Sequence, residues 1–120
     1  MLKVVIADDS RVMRQIVIRT LRQAGYEWEI TEAADGAIAL EIVTDERPDL
    51  VLSDWNMPNM SGIELLCALR ANGDDVPFGF VTSEGSPEMR DQAAEAGAMF
   101  LIAKPFTPDS FRDVIEPVLA

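Results

Sequence analysis

A chain of 120 residues, 48% of them hydrophobic, is long enough to bury one core unaided and too apolar to stay disordered. Its net charge of −11 argues against a nucleic-acid ligand, because phosphate-backbone binders present a basic face. One cysteine, Cys67, excludes an internal disulfide; with no charged-then-apolar leader and no membrane-length apolar run, the expectation is one cytoplasmic domain over residues 1–120, off the membrane.

The hydrophobic period alternates along the chain. Leu2–Ala7 is a short apolar run of the kind a strand covered on both faces needs. Met13, Ile16, Val17, Thr20, Leu21 and Ala24 follow helical spacing, and Gly25 marks the stop. The arginines of this helix are expected on its solvated side. Trp28–Ala33 alternates and predicts an edge strand. Asp35-Gly36 opens a second helical pattern that runs to Arg47 and is closed by Pro48. Leu50–Ser53 is a third, buried strand, and it ends on the carboxylate of Asp54.

Gly62–Ala71 predicts a third helix with Ile63, Leu66, Cys67 and Arg70 on one stripe, which places Cys67 in the core. Met57 and Met60 are expected to pack the loop before it. Pro77–Thr82 predicts a fourth strand. Ser86-Pro87-Glu88 has the hydroxyl cap, first-turn proline and early acid that start a helix. Met99–Ala103 predicts the fifth strand, and Thr107-Pro108-Asp109 repeats the same helix-start grammar.

Strand and helix thus alternate five times, which implies a parallel sheet with right-handed crossovers and a helix layer on each face. A (βα)5 chain of this length suits the flavodoxin-like strand order 2-1-3-4-5 better than a barrel, which needs eight units. Ligands of such sheets bind beyond the carboxyl ends of the strands. Those ends carry Asp8-Asp9, Asp54, Thr82-Ser83 and Lys104-Pro105.

Three crowded carboxylates must hold protons or be neutralised by a cation. An all-oxygen donor set favours a hard ion such as Mg²⁺. A carboxylate, a divalent ion, a lysine and a hydroxyl together make a phosphoryl-transfer site, with the carboxylate as attacking group. Taken singly, each residue has an ordinary explanation. Asp8-Asp9 could cap the first helix, Asp54 and Thr82 could form turns, and Lys104 could be a surface residue. Caps and turns do not require all of them on one rim.

This set, on this framework, resembles the receiver domain of two-component response regulators over the whole chain. The local texts DWNMPNMSG, VTSEGS and AKPFTPD look most like those of the single-domain chemotaxis regulators. The resemblance implies that Asp54 accepts a phosphoryl group from a phosphohistidine of a sensor histidine kinase. Asp9, Asp54 and the backbone carbonyl of Asn56 would hold Mg²⁺, with Asp8 acting mostly through water. Thr82 and Lys104 would bind the phosphoryl oxygens, and Lys104-Pro105 would be a cis peptide. Asn56 and Glu84 would tune the lifetime of the aspartyl phosphate. The implied protein is a monomeric signalling switch without a turnover substrate, read by a downstream partner such as a flagellar motor switch protein and open to a phosphatase.

One position departs from the pattern. Three residues before the lysine, chemotaxis regulators carry an aromatic that rotates inward as the threonine moves, and this chain has Leu101. Phe100 next door points to the opposite face of its strand. Gly79, inside the fourth strand, leaves a gap that a bulky neighbour such as Phe100 is expected to fill. The competing readings are a flavodoxin-like cofactor binder, a small-molecule phosphatase, a receiver cut from a larger regulator, and a phosphorylation-independent interaction module. Asp8-Asp9 sits where a cofactor binder needs a phosphate loop, and little chain remains to enclose a small substrate.

Overall fold

The structure, a computed structural model, describes residues 2–119. Its elements run in chain order as β1 (Lys3–Ala7), α1 (Arg11–Gln23), β2 (Glu29–Ala33), α2 (Gly36–Glu46) and β3 (Leu50–Ser53). α3 (Gly62–Ala71), β4 (Phe78–Thr82), α4 (Pro87–Ala96), β5 (Phe100–Ala103) and α5 (Pro108–Leu119) follow. The strands form one parallel sheet in the order β2-β1-β3-β4-β5. This is the flavodoxin-like order expected from the alternating periods.

β3 and β4 are buried throughout and β1 everywhere but at Lys3, as strands covered on both faces must be, whereas β2 is buried only at its last residue. Alternate residues serve two cores. Val5, Ala7, Val51, Phe78, Phe80 and Leu101 face the α2–α3–α4 layer, and Val4, Ile6, Leu52, Val81 and Ile102 face α1 and α5. Helix starts are set chemically. Ser10, Asp35 and Ser86 accept the amides of Met13, Ile38 and Met89, and Ser61 and Glu64 form a reciprocal capping box.

Three side-chain expectations need correction. Cys67 is exposed: α3 buries Gly62, Leu65, Leu66 and Leu69, and Cys67 lies one step past Leu66, about 100° further round the helix. In α1 the buried stripe includes Ile18, while Ile16 is 38% exposed. Arg14 is not solvated, for its side chain is only 13% exposed and is paired. The expectation for Gly79 holds. It registers with Phe100, whose ring edge occupies the space a β-carbon would need. Met57 and Met60 pack against the core, as expected.

Candidate functional site at the carboxyl rim of the sheet

The three central strands and β5 end on the same rim. β1 ends at Ala7, so Asp8 and Asp9 emerge side by side; Asp8 is 4% exposed and Asp9 is open to solvent. The Asp8 amide donates to the Ala33 carbonyl of β2 at 3.0 Å, and its Oδ1 accepts the Ser10 amide at 2.9 Å. Asp54 follows β3, tied to β1 by its amide, which donates to the Ala7 carbonyl at 2.8 Å. The Trp55 amide donates to Asp54 Oδ1 at 2.7 Å and so fixes the carboxylate plane. The Trp55 ring packs on Phe80, centroids 4.7 Å apart, behind it.

Lys104 reaches in from the end of β5, where the Lys104-Pro105 bond is cis. Its Nζ lies 3.7 Å from Asp8 Oδ2 and 3.7 Å from Asp54 Oδ2. Thr82 ends β4 fully buried; its carbonyl accepts the Lys104 amide at 2.8 Å, and its Oγ1 accepts the Glu84 amide at 3.3 Å. Glu84 and Asn56 are both exposed, and Asn56 borders a shallow depression with Asp9 and Ser61. Leu101 is buried on the α4 side of β5, and its carbonyl accepts Arg90 Nη1 at 3.0 Å.

One carboxylate oxygen from each of Asp8, Asp9 and Asp54 lies within 4.8 Å of the others. Burial raises the Asp8 pKa above the usual carboxylate range. The Ser10 amide offsets part of this, Asp54 and Asp9 add to it, and Lys104 opposes it. Asp8 therefore gains from a positive charge beyond the one lysine. All-oxygen donors with hydrated access on the Asp9 side fit a hard divalent ion that keeps several of its waters, the habit of Mg²⁺.

Two glycines let the backbone close round this site. A β-carbon at Gly62 would run into the Asp54 carbonyl and the Phe80 ring, and one at Gly36 would run into the Met60 carbonyl. The loop after Asp54 is clamped to the start of α2. The Gly36 amide donates to the Met60 carbonyl at 3.1 Å, and Asn59 Nδ2 donates to Asp35 Oδ2 at 2.8 Å from a left-handed backbone (φ 67°). Sequence reasoning missed this clamp. Asp35-Gly36 read only as a helix start, and a contact spanning more than twenty residues has no local pattern. It also missed Arg14, whose Nη1 donates to the Asp8 carbonyl at 2.6 Å.

The family profile described as "Response regulator receiver domain" matches residues 4–116. The chain is 37% identical to a chemotaxis protein CheY homolog of Campylobacter jejuni, covering 98% of this chain and 92% of that protein. It is also 37% identical to the sporulation initiation phosphotransferase F of Bacillus subtilis, covering 98% and 93%. Among solved structures, the chemotaxis response regulator CheY4 of Vibrio cholerae superposes with a TM-score of 0.86 at 38% identity, covering 98% of each chain.

Proposed function

The chain belongs to the response regulator receiver domain family, and we propose that it works there as a phosphorylation-controlled switch with Asp54 as phosphoryl acceptor. CheY-like receivers are signalling proteins rather than metabolic enzymes. The observation that carries the reading is the convergence of Asp8, Asp9 and Lys104 on the carboxylate of Asp54. A cytoplasmic place of action is part of this proposal; separately, no helix among the described residues is long and apolar enough to cross a membrane.

In this reading Asp9, Asp54 and the Asn56 carbonyl would hold Mg²⁺, with Asp8 acting mostly through water, and the ion would supply charge neutralisation for the incoming phosphoryl oxygens. An Asp54 oxygen attacks phosphorus, the bond from phosphorus to the donor breaks, and the donor leaves with the bonding pair. The Trp55 amide keeps the carboxylate oriented throughout. Lys104 stands on the Oδ2 side, ready to pair with a phosphoryl oxygen as Asp54 loses its charge. Thr82 gives its hydroxyl to another such oxygen and moves toward it. Asn56 and Glu84, exposed at the mouth, govern how readily water reaches the acyl phosphate.

A protein donor, the phosphohistidine of a sensor histidine kinase, fits the surroundings better than a small substrate. Lys104 lies beside an open apolar rim of Met13, Ile16, Pro105 and Phe106, and Val12 next to it is 69% exposed. The output surface is α4–β5–α5, where a motility partner of the flagellar-switch type would dock in the chemotaxis reading. A second reading is a relay that passes its phosphoryl group onward. It starts from Leu101 in place of an aromatic and from the 37% identity to the Bacillus phosphotransferase.

Intact mass after incubation with Mg²⁺ and an acyl-phosphate donor tests the acceptor. One added phosphoryl group, absent in Asp54→Asn and absent without metal, is the expected result. A folded, Mg²⁺-binding chain that gains no mass would make it a phosphorylation-independent interaction module.

A further inference from the structure

We infer that Arg14 is a positioning residue for the divalent-ion site, acting through the peptide that joins Asp8 to Asp9. This rests on the reading that the acidic rim takes up Mg²⁺. The Asp8 amide is held by the Ala33 carbonyl of β2, but β1 has ended, and among the described residues no backbone amide donates to the Asp8 carbonyl. Arg14 Nη1 supplies it at 2.6 Å. The same guanidinium donates from Nε to Glu32 Oε1 at 2.9 Å, and Gln15 Nε2 reaches both oxygens of Glu32 at 3.2 and 3.3 Å.

The guanidinium therefore bridges α1, the edge strand β2 and the one peptide from which Asp9 projects. Asp9 depends on that peptide. It is exposed, and among the described residues its carboxylate has no hydrogen bond to hold it. Whatever fixes the Asp8-Asp9 backbone fixes where its oxygen stands relative to Asp8 and Asp54. An Arg–Glu pair with one partner open to solvent is ordinarily worth little, and with Glu32 at 35% side-chain exposure this ion pair alone would add little. The carbonyl bond is what sets Arg14 apart. Two donors of one rigid fork point to two acceptors, a geometry that lysine cannot copy.

Electrostatics and positioning predict opposite signs. Removing a positive charge from an acidic site would tighten Mg²⁺ binding, whereas losing an outer support of a ligand weakens it, typically by about tenfold or more. The experiment is calorimetric titration of the full chain with Mg²⁺, in wild type, Arg14→Met and Arg14→Lys, with unfolding midpoints measured in EDTA. We expect Arg14→Met to weaken Mg²⁺ binding about tenfold, and Arg14→Lys to weaken it at unchanged charge. A purely structural Arg14 would lower the EDTA midpoint and leave the Mg²⁺ constant alone, which overturns the inference. If Arg14→Met fails to fold, a wild-type constant in Arg14→Lys overturns it equally. A wild-type chain that takes up no Mg²⁺ overturns the underlying reading, and the inference falls with it.

Discussion

Lys104 Nζ stands 3.7 Å from Asp54 Oδ2, beyond hydrogen-bond reach yet close enough for strong attraction at a partly buried rim. The same nitrogen is equally far from Asp8 Oδ2, so one cation is shared between two acids rather than committed to either. A group placed this way is free to pair with an incoming phosphoryl oxygen. Lys104→Met should therefore slow phosphoryl uptake by about a hundredfold, the usual effect of removing one positioned donor to a developing charge. Mg²⁺ binding should persist or tighten, because a competing cation has left the acids. Mass-spectrometric time courses and calorimetry on the same variant check both halves. Loss of Mg²⁺ binding would show that Lys104 supports the acids instead.

Phe100 lies across Gly79, and this pairing makes a stability prediction independent of any phosphorylation. The ring fills the α1–α5 side of β4 where a side chain would otherwise stand. Gly79→Val should cost about 1–3 kcal/mol in urea unfolding, as overpacked cores do. Adding Phe100→Ala should return part of that loss, because the two sites are in contact and not additive. A more stable Gly79→Val would mean the space is empty.

How the fold could be read from the chain, and where that reading stopped, follows from the range of each signal. Strand periods, serine and aspartate caps and the glycine after α1 act over a few residues, so the element order and the rim residues were legible. The Gly79 gap was legible too, since a missing side chain inside a strand calls for a neighbour. Cys67 was misplaced because short helices with apolar residues on several faces fit two stripes, and only packing against the sheet chooses between them. Arg14 and the Asp35–Asn59 clamp were invisible because arginine beside aspartate carbonyls, or asparagine in a loop, signals nothing until the chain has folded. Leu101 stood out only against the family pattern, and its burial beside Arg90 gives it a packing role whatever the readout.

Asp35 offers a pH test of the clamp that holds the loop after Asp54. Its carboxylate accepts the Ile38 amide at 2.8 Å and the Asn59 side-chain amide at 2.8 Å. Both bonds favour the ionised form, the Ile38 amide most, and they hold the pKa below the ordinary carboxylate value. The sign follows from proton counting. With the folded value depressed, the unfolded chain takes up the proton first, so the stabilisation is whole above an unfolded value of about 3.9. It is then lost as pH falls through the folded value. Asp35→Asn keeps an acceptor oxygen but not the charge, so wild type should be the more stable at neutral pH, and the gap should shrink below about pH 4. Urea unfolding of both proteins from neutral pH to about pH 3 measures that gap. Asp8, with its raised pKa, and Glu64, with its lowered one, titrate in both proteins and cancel from the difference. A gap that stays constant across the range would show that the charge on Asp35 contributes nothing to the clamp, leaving the Gly36–Met60 backbone bond to hold the loop alone.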